Sequence, residues 1–295
     1  MAEKRVIMFG GKGGVGKTTC AGATALHYAS SGLNTLVIST DPTPSLSDIF
    51  EVDSRGKFVR VVDNLQVAEL GMDEVRDLWD RKFGPEVYEV FSSFVSIEYD
   101  RFVDFITSIL PGLKEEFMVD YIKELARNGD YERIVWDTAP LGQTMELLRM
   151  PGMLREHLRS APKVYSKLKL GDRTKRPVID IIKGWEELSK EDIEFLKREV
   201  EFNLVTIPEA LAVQQLNDIF SEFQRNEFRP ARLVINNVVE EADSDFLQQK
   251  REQQQGYIRD IRRNYTMPEI IELPMLSREI KGINSLAEIG KSLFS

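Results

Sequence analysis

Short apolar runs recur along the chain, each closing on a turn-forming or polar residue: RVIMFG, NTLVIST, NLQVAEL, ERIVWD, FNLVTIP, RLVINN and IIELP. Continuous Val, Ile and Leu runs of this length predict strands buried on both faces, and the longer helical patterns between them predict crossover helices. The pattern therefore predicts an α/β fold with a mostly parallel, doubly wound sheet. Two stretches break the alternation. Residues 72–128 and 145–199 hold apolar side chains at helical spacing, among them Phe91, Phe94, Val95, Phe102, Phe105, Ile106 and Ile109, and no strand. They predict a helical subdomain built from two insertions. Its apolar stripes suit either core packing over the sheet or a groove for an apolar ligand, and both readings stand at this point. The stretch KLGDRTKRPV, residues 169–178, is basic, contains glycine and closes on proline, which predicts a mobile loop.

Composition narrows the function classes. A chain of 295 residues can bury a large core as one elaborated α/β domain or two small ones. Its net charge of −9 repels a phosphate backbone, so nucleic-acid binding is not expected. Without ligands from other chains, the lone cysteine, Cys20, cannot form an internal disulfide, a CxxC zinc site or a cluster site, and its helical position suits a small packing residue. The apolar opening reaches Gly10 too soon for a secretory signal and reads as a first strand of a cytoplasmic protein. Nothing approaches the roughly 18 uncharged apolar residues of a membrane span. The best candidate, from Val87 to Leu113, is broken by Glu98, Asp100, Arg101 and Asp104.

Candidate chemistry begins at GGKGGVGKTT, residues 10–19. Gly11, Gly16, Lys17 and Thr18 meet the G-x-x-x-x-G-K-[ST] pattern directly after a predicted strand and at the start of a predicted helix. Small residues there let backbone N–H groups wrap phosphates, Lys17 compensates β and γ charge, and the Thr18 hydroxyl suits Mg²⁺. Lys12 is a lysine more than the pattern needs. Asp41, in VISTDPTPSLSD, ends the second strand on the ligand side of such sheets, where it can orient a water or simply form a turn. Ser45 and Asp48 suit capping of the next short helix. Asp137 ends ERIVWD, where a carboxylate can support Mg²⁺ directly or through water, and Gly142 permits a loop that moves with the γ-phosphate.

GKGGVGKTT, STDPTPSLSDIF and DTAPLGQT closely resemble the deviant Walker A, switch I and switch II segments of the ArsA-type ATPases. That family comprises arsenite-pump motor subunits and tail-anchored protein targeting factors. ILPGLKEE, TIPEALAV, INN and LPMLSREIKGINSL extend the resemblance over essentially the whole chain, in single-copy form. It implies one P-loop NTPase domain over 1–295, a homodimer, and ATP with Mg²⁺ as cofactors. The nucleotide site it implies is Gly11, Lys12, Gly13, Gly14, Val15, Gly16, Lys17, Thr18 and Thr19, with Asn236, or Asn237 if the register slips by one, reading adenine. Thr18, Asp41 and Asp137 would serve the metal, and Asp41, Lys12 and Lys17 the catalysis. Lys12 matches the signature lysine that crosses the dimer interface to the other subunit's phosphates, and Glu209 matches a position near that interface.

Departures from the family limit what is inherited. One cysteine cannot collect metalloid, and DFLQQKREQQQGYIRD replaces the interval where many targeting factors carry a zinc-binding CxxC, so no zinc site is expected within the chain. Pro44, Leu141 and Gln143 replace residues usual in the switches. Met145, Leu148, Met150, Met153 and Leu154 lie close together after switch II, which suits a varied apolar partner as well as core packing; further anchors are Val164, Leu168, Ile181, Ile182 and Trp185. Cluster cysteines, a basic amphipathic terminal helix and a basic surface are all lacking, which sets aside nitrogenase iron proteins, division-site regulators and DNA-partitioning ATPases. Without an NKxD motif, ATP is favoured over GTP. The expected function is ATP-driven opening and closing of a homodimer that binds and delivers a hydrophobic, tail-anchored client helix. The alternative is the motor subunit of an anion or arsenite transporter, with transient membrane association through that partner.

Overall fold

The structure, a computed structural model, describes residues 4–40, 45–92, 97–109, 113–138, 156, 159 and 178–294. The chain divides into two compact units, one of Met1–Gly71, Leu125–Met145 and Glu199–Ser295, the other of Met72–Glu124 and Glu146–Arg198.

The first unit holds the sheet. Its strands are β1 (Val6–Gly11), β2 (Thr35–Ser39), β3 (Phe58–Val62), β4 (Leu65–Glu69), β5 (Arg133–Asp137), β6 (Val200–Thr206), β7 (Pro230–Val238) and β8 (Glu269–Pro274). They lie in the order β3-β4-β2-β5-β1-β6-β7-β8. Every neighbouring pair is parallel except β3 with β4. All the apolar runs read from the sequence form strands. The strand the sequence pattern does not announce is β3, an antiparallel edge strand whose Phe58 is 41% exposed. Arg60 interrupts its apolar character, and its pairing depends on a tight turn with Asn64 at φ 61.

Helices cover both faces, as a doubly wound sheet requires. The first unit contributes α1 (Lys17–Ser30), α2 (Leu46–Phe50), α7 (Ala210–Arg225), α8 (Asp245–Asn264) and α9 (Gly282–Leu293). Ile7 and Phe9 of β1, Val37 of β2, Val135 of β5 and Val205 of β6 share one core with Ala21 and Ala25 of α1 and Leu286 and Ile289 of α9. Alternate residues face the other way, where Phe202 of β6 meets Phe223 of α7 at 5.2 Å between ring centroids and Phe228 at 5.1 Å. Parallel register aligns the strand ends. Ser39 pairs with both Glu69 and Asp137, and Phe9 with Asp137, so these groups emerge at one carboxyl edge. The chain runs from β1 outward to β2 and later fills the opposite side from β6 onward, which makes the end of β1 the topological switch point.

The second unit contains α3 (Met72–Ser92), α4 (Tyr99–Ile109), α5 (Leu113–Asn128) up to Glu124 and α6 (Val178–Glu199) up to Arg198. Trp79, Phe102, Phe117, Ile122, Ile181 and Phe195 are buried, and Trp185 is half-buried. Phe94, Val95, the methionine-rich stretch 145–154, Val164, Leu168 and residues 169–177 lie outside the described residues, as do the side chains of Phe91, Phe105, Ile106, Ile109 and Ile182.

A buried ionic cluster ties α5 to α6 and α3. The Lys123 ammonium lies 2.5 Å from Asp192, 3.2 Å from Asp120 and 3.7 Å from Glu191. Lys82 of α3 pairs with Asp120 as well, and reaches Glu124 at 2.6 Å. Burial pushes the Asp192 carboxyl up to about 6, with Lys123 pulling the other way and Asp120 adding to the rise. Removing the central cation leaves Asp120 and Asp192 buried beside one another. Lys123→Met is therefore expected to cost about 3–5 kcal/mol in denaturant unfolding, more than Asp192→Asn, which leaves Lys123 its other partners. The two also separate by pH. The folded chain holds the Asp192 proton more tightly than the unfolded chain, so this group's stabilisation is full below 3.8 and is lost as pH rises through about 6. The stability of wild type minus that of Asp192→Asn should fall across that window; a rise would contradict the assignment.

Candidate nucleotide site

The site grows from the end of β1. Its strand is buried throughout, and the chain then turns through residues 12–16 into α1. Gly11 has φ 150, and a Cβ there would stand 2.3 Å from the Val205 carbonyl oxygen of β6, so only glycine fits this close backbone approach. Gly16, at the N-cap position of α1, has φ 99, and its missing Cβ leaves room for the Asn236 amide, which would otherwise lie 2.3 Å away. Asn236 uses that space: its Nδ2 donates to the Val15 carbonyl at 2.9 Å, joining the end of β7 to the loop. Lys17 is 5% exposed, and its ammonium donates to the Lys12 carbonyl at 3.2 Å. The loop's own lysine thus spans its concave side. Val15 is buried, Lys12, Thr18 and Thr19 are half-buried, and Gly13 and Gly14 are exposed.

Oxygen atoms gather beneath this loop. Asp137, fully buried at the end of β5, accepts from the Thr18 hydroxyl at 2.9 Å and from the Ser39 hydroxyl at 3.1 Å, both at Oδ2. Since an ionised carboxylate only accepts, both hydroxyl protons point at it. Thr18 Oγ1 in turn accepts from Ser45 Oγ at 3.0 Å. The strand ends are fixed around them: Thr40 N–H donates to the Asp137 carbonyl at 3.1 Å, and Thr138 Oγ1 donates to the Phe9 carbonyl at 2.8 Å.

These hard oxygen donors, one carboxylate with hydroxyls, fit Mg²⁺, which typically takes one or two carboxylates with water and substrate phosphates rather than a full protein cage. Among the described residues no group of three or more His, Cys, Asp and Glu could hold a metal. Cys20 lies buried in α1, and its thiol is pushed up to about 12, chiefly by burial and further by the Asp137 charge. It is a packing residue without thiolate chemistry.

The structure thus brings Thr18, Asp137, Ser45, Lys17 and Asn236 to one loop. Asn237 turns away: it has φ 59, is exposed, and its carbonyl accepts from Gln254 Nε2 at 3.0 Å. Glu209 stands exposed at the N-cap position of α7 without a side-chain cap bond. Asp41, Pro44, Leu141, Gly142 and Gln143 lie outside the described residues.

Two supporting residues escape sequence reasoning. Gln254, buried in α8, accepts from Val239 N–H at 2.8 Å while it donates to Asn237, and so pins the turn behind Asn236. Its signal was its spacing from Ile258 and Ile261 on the buried stripe of α8. Glu69, 3% exposed at the end of β4, accepts from Ser47 of α2 through both carboxylate oxygens. A lone Glu closing an apolar run carried no motif to mark it.

Comparison with known proteins agrees with this geometry. The sequence profile of the anion-transporting ATPases, ArsA_ATPase, matches residues 4–295. The chain is 30% identical over 300 residues to "Putative arsenical pump-driving ATPase 2" of Aquifex aeolicus, covering 98% of this chain and 99% of that protein. It is 27% identical over 325 residues to "ATPase GET3C" of Arabidopsis thaliana, covering 98% of this chain and 82% of the relative. With "ATPase GET3A" of the same plant it shares 29% identity over 300 residues, covering 95% and 81% respectively. A P-loop edge of this build, matched over nearly the full length, places the chain in the anion-transporting ATPase family, and it is an ATPase.

Proposed function

We propose that this ATPase works with Mg²⁺ as a homodimer that closes on ATP and opens after hydrolysis, and that it uses the motion to bind and deliver a hydrophobic membrane-protein segment. The observation that carries the catalytic part is the Thr18–Asp137 hydrogen bond beneath a loop bearing two lysines. Thr18 and Asp137 would hold Mg²⁺, which neutralises charge on the β and γ phosphate oxygens when bound. Backbone N–H groups of residues 13–18 cradle the phosphates, and Lys17 exchanges its contact with the Lys12 carbonyl for a phosphate oxygen. Asp41 orients the attacking water and accepts its proton. Lys12 of the second subunit adds a cation on closure, as an arginine finger does. Asn236 reads the adenine.

Two features support protein partners at this edge. Leu211 and Phe246, 55% and 73% exposed, open α7 and α8 where the chain leaves the ends of β6 and β7, the same edge that carries Lys12. Large exposed apolar side chains beside a nucleotide loop suit a surface that is covered when the enzyme closes. Between client delivery and metalloid pumping, Cys20 favours the first. A metalloid site needs several reactive thiols, and the single cysteine of this chain is buried with its thiol held protonated. A motor subunit for another anion transporter is the second reading, supported by the family's description.

The test is ATP hydrolysis and solution mass for wild type, Lys12→Ala and Asp41→Asn. Wild type should be dimeric with ATP and Mg²⁺, and both variants should bind nucleotide but hydrolyse it about a thousandfold more slowly. Full hydrolysis by a monomeric Lys12→Ala protein would overturn the cross-subunit mechanism. For the client, the dimer should keep a peptide of about 20 apolar residues in solution. Precipitation of that peptide at the same rate with and without the protein would remove the delivery reading and leave the ATPase standing.

A further inference from the structure

Ser45 occupies the N-cap position of α2, yet its side chain makes no cap hydrogen bond. Its hydroxyl donates to Thr18 instead. Of the two amides an N-cap side chain can serve, those of Ser47 and Asp48, the first is taken by Glu69 Oε1 at 3.0 Å. Glu69 Oε2 accepts the Ser47 hydroxyl proton. Because that proton is committed to a carboxylate, the Ser54 hydroxyl, 2.9 Å from Ser47 Oγ, must be the donor of that pair, alongside the Ser54 N–H at 3.2 Å. Both carboxylate oxygens are therefore engaged on the first turn of α2. The strand end that carries them is fixed as well: Glu69 N–H donates to the Ser54 carbonyl at 3.0 Å, Gly56 N–H to the Glu69 carbonyl at 2.8 Å, and Leu70 N–H to the Ser39 carbonyl at 3.0 Å.

We infer that Glu69 is a positioning residue for the phosphate site: it caps α2 from β4 and thereby frees the Ser45 hydroxyl to hold Thr18. The inference rests on the Mg²⁺ reading above. Without Glu69, the buried Ser47 N–H loses its acceptor, and the replacement within reach is the ordinary one, the Ser45 side chain folding back as an N-cap. Ser45 would then leave Thr18, whose hydroxyl is oriented from one side by Asp137 and from the other by Ser45. Glu69 acts on the metal site through Ser45 and touches neither nucleotide nor metal.

The test uses full-length protein saturated with ADP, with Mg²⁺ affinity measured by calorimetry, for Glu69→Ala, Ser45→Ala, the double variant and Glu69→Gln. Each single alanine variant should weaken Mg²⁺ binding about tenfold, and the double variant should be no weaker than either, since both remove one pathway. Glu69→Gln keeps an acceptor for the Ser47 N–H and should restore most of the affinity. Amide exchange over residues 45–54 should rise in Glu69→Ala and not in Ser45→Ala. If Glu69→Ala does not fold, Glu69→Asp, whose carboxylate is drawn back by one methylene, replaces it with the same expected pattern. Unchanged Mg²⁺ affinity in the folded Glu69 variant, or additive losses in the double variant, overturns the inference. Wild-type protein whose ADP affinity ignores Mg²⁺ would instead sink the Mg²⁺ reading, before any variant is compared.

Discussion

A single buried carboxylate organises the carboxyl edge of this sheet. Asp137 has no exposed surface, and its Oδ2 draws in the hydroxyls of Thr18 from α1 and Ser39 from β2. Burying an anion is costly unless hydrogen bonds compensate, so the surrounding hydroxyls are held in place by that requirement. Ser45 joins through Thr18, which brings α2 into the same network. Two strands and two helices thereby meet on a few oxygen atoms at the topological switch point, where a parallel sheet presents its ligand side.

That dependence explains the geometry of the loop above. Glycine is required where backbone runs against backbone, at Gly11 beside Val205, and where a side chain fills the gap, at Gly16 beside Asn236. The loop is consequently braced from β6 and β7, while Lys17 closes its inner side through the Lys12 carbonyl. In the second unit the same rule governs a different cluster: Lys123 is tolerated in the interior because Asp120 and Asp192 surround it. Such a cluster adds less to stability than a matched apolar core would, but it fixes which faces of α5 and α6 meet.

Much of the fold was legible because its signals are local. A parallel strand buried on both faces reads as a continuous apolar run, and a phosphate loop reads as glycines and a lysine between strand and helix. Asp137 could be named because it closes such a run and Thr18 because it completes the loop pattern, whereas Asn236 rested on the resemblance to the ArsA-type ATPases. The edge strand β3 could not, since its residues are partly exposed and Arg60 breaks the pattern. Glu69 and Gln254 were hidden for another reason. Their partners lie 22 and 15 residues away in sequence, at Ser47 and Val239, and only the folded sheet brings them into contact. Ser45 read as a cap because its local pattern says so; a long-range acceptor took one of the amides it could cap, and its hydroxyl bonds Thr18 instead.

The most direct measurement is the steady-state ATP hydrolysis of Asp137→Asn at saturating ATP and Mg²⁺, with ATP affinity determined alongside. An amide keeps the shape but removes the charge and replaces one acceptor oxygen with an NH₂ donor. If the Asp137, Thr18 and Ser45 oxygens form the metal and phosphate site, the variant folds, binds ATP and hydrolyses it about a hundredfold more slowly. Hydrolysis at the wild-type rate would show that this oxygen cluster is only a structural knot and that the chemistry is done elsewhere.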